Sequence, residues 1–184
     1  MFLNAYEFEK CLIFYGAPTL VNLKVASLYH IDMTKAEIDY WIDYYNPLLS
    51  QKNMCLYRFT RKQRGLLFLY HKQKLWHLLN HEKIKKMFMN YHYNCLSVET
   101  ILQCLQKRLQ ETEFPHEIGL LLGYPLQDVV SFIDGKPCLV IGDWKVYGHL
   151  KSCQKTFWKY QRCTNELMNR FSKGMTLEKI CQII

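Results

Sequence analysis

No stretch of this 184-residue chain approaches the roughly 18 to 20 uninterrupted apolar residues that a membrane-crossing helix needs. The apolar opening, MFLNAYEFEKCLIFYGAP, carries Glu7, Glu9 and Lys10 inside the run and lacks a basic leader, so it reads as a packed helix and not as a secretory signal. There is no Cys-x-x-Cys pair and no Cys/His cluster at zinc-finger spacing. The eight cysteines therefore read as reduced, structural thiols of a cytoplasmic protein. A Walker-type loop, a GxGxxG turn and a GxSxG elbow are also missing, which leaves phosphate-loop, dinucleotide and hydrolase-elbow functions without support. No metal site is expected, and no cofactor is named by any motif.

Neither repeats nor low-complexity linkers divide the chain, and its length suits one substantial core. A hydrophobic share of 49% with 22% charged residues argues against extensive disorder. Lysine and arginine number 24 against 16 acidic residues, a formal net charge of +8 that favours contact with something anionic without naming it.

Along the chain, Asn4 is positioned to cap a helix to about Tyr15, which Gly16-Ala17-Pro18-Thr19 should break. Leu23 to Ile31 reads as extended. Thr34 and Glu37 form a capping box for a helix expected to stop near Pro47. Met54–Thr60 and Gly65–Tyr70 predict a β-hairpin turned by RKQRG. Helical periodicity then runs from Leu75 to Tyr91, and Ser97 caps another helix. Pro115 suits a first helical turn, Gly123 ends that short helix, and Pro125 opens LQDVVSFI. Cys138 to Tyr147 is strand-like around a Gly142-Asp143 bulge or turn. Leu150, Cys153, Phe157, Tyr160, Thr164, Leu167 and Phe171 give a long amphipathic helix, closed by Gly174 before a short one capped by Thr176. The sum is a single α+β domain over residues 1–184, with a small mixed or antiparallel sheet of at least three strands covered by several helices.

The stretch FPHEIGLLLGYPLQD from Phe114 to Asp128, with GDWKVYG from Gly142 to Gly148 and Ala17-Pro18-Thr19, Lys24 and Ser27 upstream, resembles an uncharacterised bacterial family catalogued as domain of unknown function 3793. The resemblance spans nearly the whole chain. It implies a shared fold and a shared site, and no activity. The chain departs from the pattern at His92, in Tyr91-His92-Tyr93, where a glycine is expected.

His116-Glu117 opens like the zinc-protease signature HExxH, but Leu120 stands where the second histidine ligand must be, so that chemistry fails. Two readings remain. His116 packs at a helix start while Glu117 complements its dipole, or His116 is a catalytic or ligand-binding group oriented by Glu117 or Asp128. Lys145 and Tyr147 alternate with Trp144 along an extended segment. Together with Lys24, Ser27 and Tyr124 they form a candidate site for a small anionic ligand, unless Lys145 is simply solvated. A separate candidate is the face carrying Lys151, Lys155, Lys159 and Arg162, flanked by Trp158, which suits a nucleic acid or a protein partner.

Overall fold

The computed structural model describes residues 5–62 and 64–183. Asn4, expected as the first cap, and Gln63, in the hairpin turn, lie outside the described residues. At the centre is a three-stranded antiparallel sheet in the order β1-β3-β2, with β1 at Ala26–Ile31, β2 at Met54–Arg61 and β3 at Arg64–His71. The expected hairpin forms in the register Met54↔His71 to Arg61↔Arg64, and β1 adds along the other side of β3 from Ala26↔Tyr70 to Ile31↔Gly65.

The run GLLFLYH explains the layering. A strand with only one buried face alternates apolar and polar residues, whereas here both faces of β3 are apolar. Leu67 and Leu69 enter one core with Tyr29, Ile31, Met54 and Leu56, and Phe68 and Tyr70 enter a second core with Ala26 and Phe59. Helices α1 (Ala5–Leu20), α2 (Lys35–Ser50), α8 (Leu150–Ser172) and α9 (Leu177–Ile183) cover the first face. Helices α3 (Lys72–Leu79), α4 (Glu82–Asn90), α5 (Val98–Arg108), α6 (Ile118–Leu121) and α7 (Leu126–Ile133) cover the second. A two-residue hairpin, β4 (Val140–Ile141) with β5 (Lys145–Val146), turns through Gly142-Asp143 and leads into α8.

The caps of α2 and α5 form as expected: Thr34 and Glu37 exchange side-chain and backbone bonds, and Ser97 accepts from the Thr100 amide. The helix breaks differ. Helix α1 continues through Gly16 and Pro18 to Leu20. A Cβ at Gly16 would stand 2.9 Å from the Leu69 side chain, so this glycine admits close packing on the sheet and is no terminator. Pro18 sits in the last turn, and its carbonyl accepts from the amides of Leu23 and Lys24 beyond the helix. Helix α2 likewise runs past Pro47 to Ser50. There the side chain of Asn46 pairs with Leu56, accepting from its amide at 2.7 Å and donating to its carbonyl at 3.1 Å. Gln106 of α5 does the same to Thr60, at 2.9 and 3.0 Å. Two side-chain amides thus occupy the open edge of β2 as a fourth strand would, which blocks edge-to-edge association.

The single helical stretch expected over 75–91 is two helices, parted at Asn80-His81. Beyond α4 the Tyr93 amide reaches the Phe88 carbonyl and the His92 amide reaches Met89, the paired bonds of a Schellman ending with His92 in the left-handed position at φ 61°. That is the site where a glycine is expected from the sequence, and the turn forms with the histidine.

Candidate functional site: a hollow between α6, α7 and the β4–β5 hairpin

Helix α6 is a single turn, and its end is set by Gly123 at φ 79°. The Tyr124 amide bonds to the Gly119 carbonyl and the Gly123 amide to Leu120, another Schellman ending, which only glycine enters without strain. The reversal brings α7 back against α6 so closely that a Cβ on Gly119 would lie 3.0 Å from Val129 and 3.1 Å from Tyr124. Pro125 then opens α7 at its N-cap. This is the tight helical turn-back that FPHEIGLLLGYP encodes.

Asp128, on the first turn of α7, is 3% exposed. Its Oδ2 accepts from the Trp144 indole Nε1 at 2.8 Å, and its Oδ1 accepts from the amides of Tyr147 at 2.9 Å and Gly148 at 3.1 Å. A buried carboxylate with three donors is thereby satisfied, and it fastens the β4–β5 hairpin to α7. Trp144 is stacked on Tyr124 at 5.1 Å and meets Phe157 of α8 edge-on at 4.5 Å. Phe157 fills the space a side chain at Gly142 would need.

Between these elements lies a hollow of about 360 Å³. Its walls are mostly apolar: Leu28 of β1, Phe114, Ile118 and Leu122 beside α6, Val129 and Phe132 of α7, with Tyr124 and Trp144. His116 and Lys145 are also on its lining, and both are exposed. The His116 ring meets Phe132 edge-on at 4.8 Å, and the Lys145 ammonium stands 4.9 Å from the centre of the same ring. Lys145 makes no ion pair among the described residues.

The structure therefore gathers His116, Tyr124, Asp128, Trp144 and Lys145 on one hollow. Glu117 turns elsewhere. It is 1% exposed, and its Oε1 accepts from Arg108 Nε at 2.5 Å and from the Tyr93 hydroxyl at 2.8 Å. The Arg108 guanidinium also stands 5.1 Å from the Tyr91 ring and 5.9 Å from that of Tyr93, and burial together with the Glu117 charge raises the Tyr93 phenol far above its usual pKa. Ser27 is buried too and shares a 2.9 Å hydrogen bond with Thr19. Tyr147 contributes its backbone amide to Asp128.

Lys24 lies outside the hollow's lining, 5.4 Å from the Tyr124 ring and 5.8 Å from that of Tyr160. Burial pulls its pKa below the usual lysine value, with Asp143 opposing. Burial, aided by Asp143, pushes both Tyr124 and Tyr160 up to about 12. Phe114, Phe132 and Leu28 were not singled out from the sequence. Phe132 was legible only as an apolar position of LQDVVSFI, and Leu28 reaches the hollow from a strand remote in sequence.

Among the described residues no group of three or more His, Cys, Asp or Glu side chains could hold a metal ion, no helix is long and apolar enough to cross a membrane, and all eight cysteines are free. No curated protein and no solved structure matches the chain. Its hollow and the motifs that build it fall within residues 12–181, which match the family described as "Protein of unknown function (DUF3793)", and the chain belongs to that family.

Proposed function

We propose that the hollow binds a small amphipathic anion, an aromatic or branched apolar body bearing a carboxylate or phosphate, in a cytoplasmic protein whose thiols stay reduced. The observation that carries this reading is the pairing of His116 and Lys145 on Phe132, two exposed polar groups beside predominantly apolar walls. The apolar body would lie against Phe114, Leu122, Val129 and Phe132. Lys145 is then the charge partner and His116 the polar centre, a donor to the anion or, toward a suitable substrate, a base. Tyr124 and Trp144 form the aromatic wall, and Asp128 holds that wall by fixing the hairpin. Lys24 packs against Tyr124 from outside the lining, Ser27 and Glu117 hold the surrounding packing, and Tyr147 anchors the hairpin through its amide.

The test is a calorimetric titration with a panel of aryl and branched-chain carboxylates and phosphates, each run beside its neutral amide or alcohol. The acids should bind and the neutral partners should bind at least about tenfold more weakly, as expected for loss of a charge-assisted hydrogen bond. Lys145→Ala and His116→Ala should each weaken the acids by about tenfold while leaving the melting temperature unchanged, because both side chains are exposed. Equal binding of acid and amide, or acids indifferent to both substitutions, would overturn the reading.

A further inference from the structure

The outer face of α8 is unused by the hollow. Between Asp143 and Glu166 the chain carries no carboxylate. Within that span Lys151, Lys155, Lys159 and Arg162 are exposed and recur at intervals of three and four, opposite the buried Cys153, Leu167 and Phe171. Glu166, which would interrupt the face one turn beyond Arg162, is paired with Arg170 on its other side. Among these cations stands Trp158, 58% exposed, with the Arg162 guanidinium 5.2 Å from its ring. Lys151, Gln154, Lys155 and Trp158 line a shallow hollow of about 370 Å³ on this surface.

We propose that this face of α8 binds single-stranded nucleic acid, the lysines following the phosphates and the Trp158 indole stacking on an unpaired base. Charge complementarity supplies the anionic partner, and the indole decides its kind. A solvated basic helix has no use for a large exposed aromatic among its charges, whereas a base offers both a flat apolar face and an adjoining phosphate. In a duplex the base faces are stacked away, so the indole would find none. From Lys151 to Arg162 the helix rises about 16 Å, which spreads the four cations along a short stretch of one strand. The site shares no lining residue with the α6–α7 hollow.

The experiment is fluorescence anisotropy of a labelled twelve-nucleotide oligothymidylate titrated with the full chain at several salt concentrations. If the four cations each neutralise a phosphate, log affinity should fall with log salt with a slope of about −3. Lys155→Glu with Lys159→Glu should reduce the slope to about −1. Trp158→Ala should weaken binding by about tenfold, whereas Trp158→Phe should recover most of it, a difference that charge alone does not produce. All these positions are exposed, so the variants should keep the native far-ultraviolet spectrum. The same oligonucleotide as a duplex should bind more weakly. Equal or tighter binding to duplex, preferential binding to anionic phosphatidylserine vesicles or to polyglutamate, no measurable affinity at 50 mM salt, or insensitivity to Trp158→Ala would each overturn the proposal.

Discussion

Asp128→Ala is the most informative perturbation, because one side chain holds the hairpin to the rest of the fold. It removes three hydrogen bonds, to the Trp144 indole and to the amides of Tyr147 and Gly148, from a carboxylate that is 3% exposed. Bonds to a charged acceptor contribute about 1.5 to 3 kcal/mol each, and the lower figure applies where water can reach the released amides, so the loss should be about 4 to 5 kcal/mol. In a chain of this length 1 kcal/mol moves the melting temperature by about 2 to 4 °C, which places the expected fall between about 9 and 18 °C. Asp128→Asn should be intermediate. Its remaining carbonyl can accept from the two amides, but its amide nitrogen then faces the indole N–H, donor against donor.

The assay is urea unfolding combined with hydrogen exchange at the amides of Tyr147 and Gly148. Both amides should be protected in the parent and exposed in Asp128→Ala. In Asp128→Ala exchange at these two sites should rise, the urea midpoint should fall with the lost stability, and binding at the hollow should fall as Lys145 drifts from Phe132. In a background of Trp144→Phe, which lacks the indole donor, Asp128→Asn should cost at least about 1 kcal/mol less than in the parent, the coupling expected of residues in direct contact. Unprotected amides in the parent, or a zero coupling, would refute the assignment of Asp128 as the fastener.

Lys24→Met should change the pH dependence of stability. The folded-state pKa of Lys24 lies below its ordinary value of 10.5, so the unfolded chain holds the proton over a range where the folded chain has released it, and stability attributable to this group rises with pH between the two values. The neighbouring Tyr124 and Tyr160 titrate at about 12 in the folded protein, and their contribution is common to both proteins and cancels in the comparison. Urea midpoints should therefore favour the methionine variant most at pH 7 and least near pH 10.5, and a difference constant with pH would contradict it. His92→Gly should raise stability by about 1 kcal/mol, as the left-handed φ of 61° ceases to strain a side chain; a destabilised variant in thermal unfolding would show that the imidazole contributes more than the strain costs.

Much of the fold was legible because its signals are local. The Thr34 and Ser97 caps, the β2–β3 hairpin and the helix-ending Gly123 and Gly174 depend on residues within one or two turns of one another. What misled was tertiary. Gly16 resembles a break until Leu69, fifty-three positions on, is seen to occupy the space its side chain would take. Asn46 before Pro47 looked like a helix end, while its amide is committed to the edge of β2. The motifs of the candidate site were visible as sequence, but not how their carboxylates are used. Glu117 finds its partners at Arg108 and Tyr93, and Asp128 finds its own sixteen to twenty residues ahead, separations at which no periodicity connects donor to acceptor.

Those two carboxylates bear on the sign of the proposed ligand. An acid free to face the hollow would neutralise Lys145 and make the rim indifferent to charge. Glu117 instead is bonded to Arg108 and Tyr93, and both oxygens of Asp128 are occupied by donors of the hairpin. Asp143 belongs with Lys24 beyond Tyr124, which leaves Lys145 and His116 beside Phe132. An anion arriving there would meet a lysine that has no competing counter-ion among the described residues, and an apolar wall that lowers the local dielectric around the pair. A cation would meet repulsion from Lys145 and no unoccupied carboxylate in compensation. Converting Lys145 to glutamate should accordingly reverse the preference of the hollow from carboxylates to amines of the same shape.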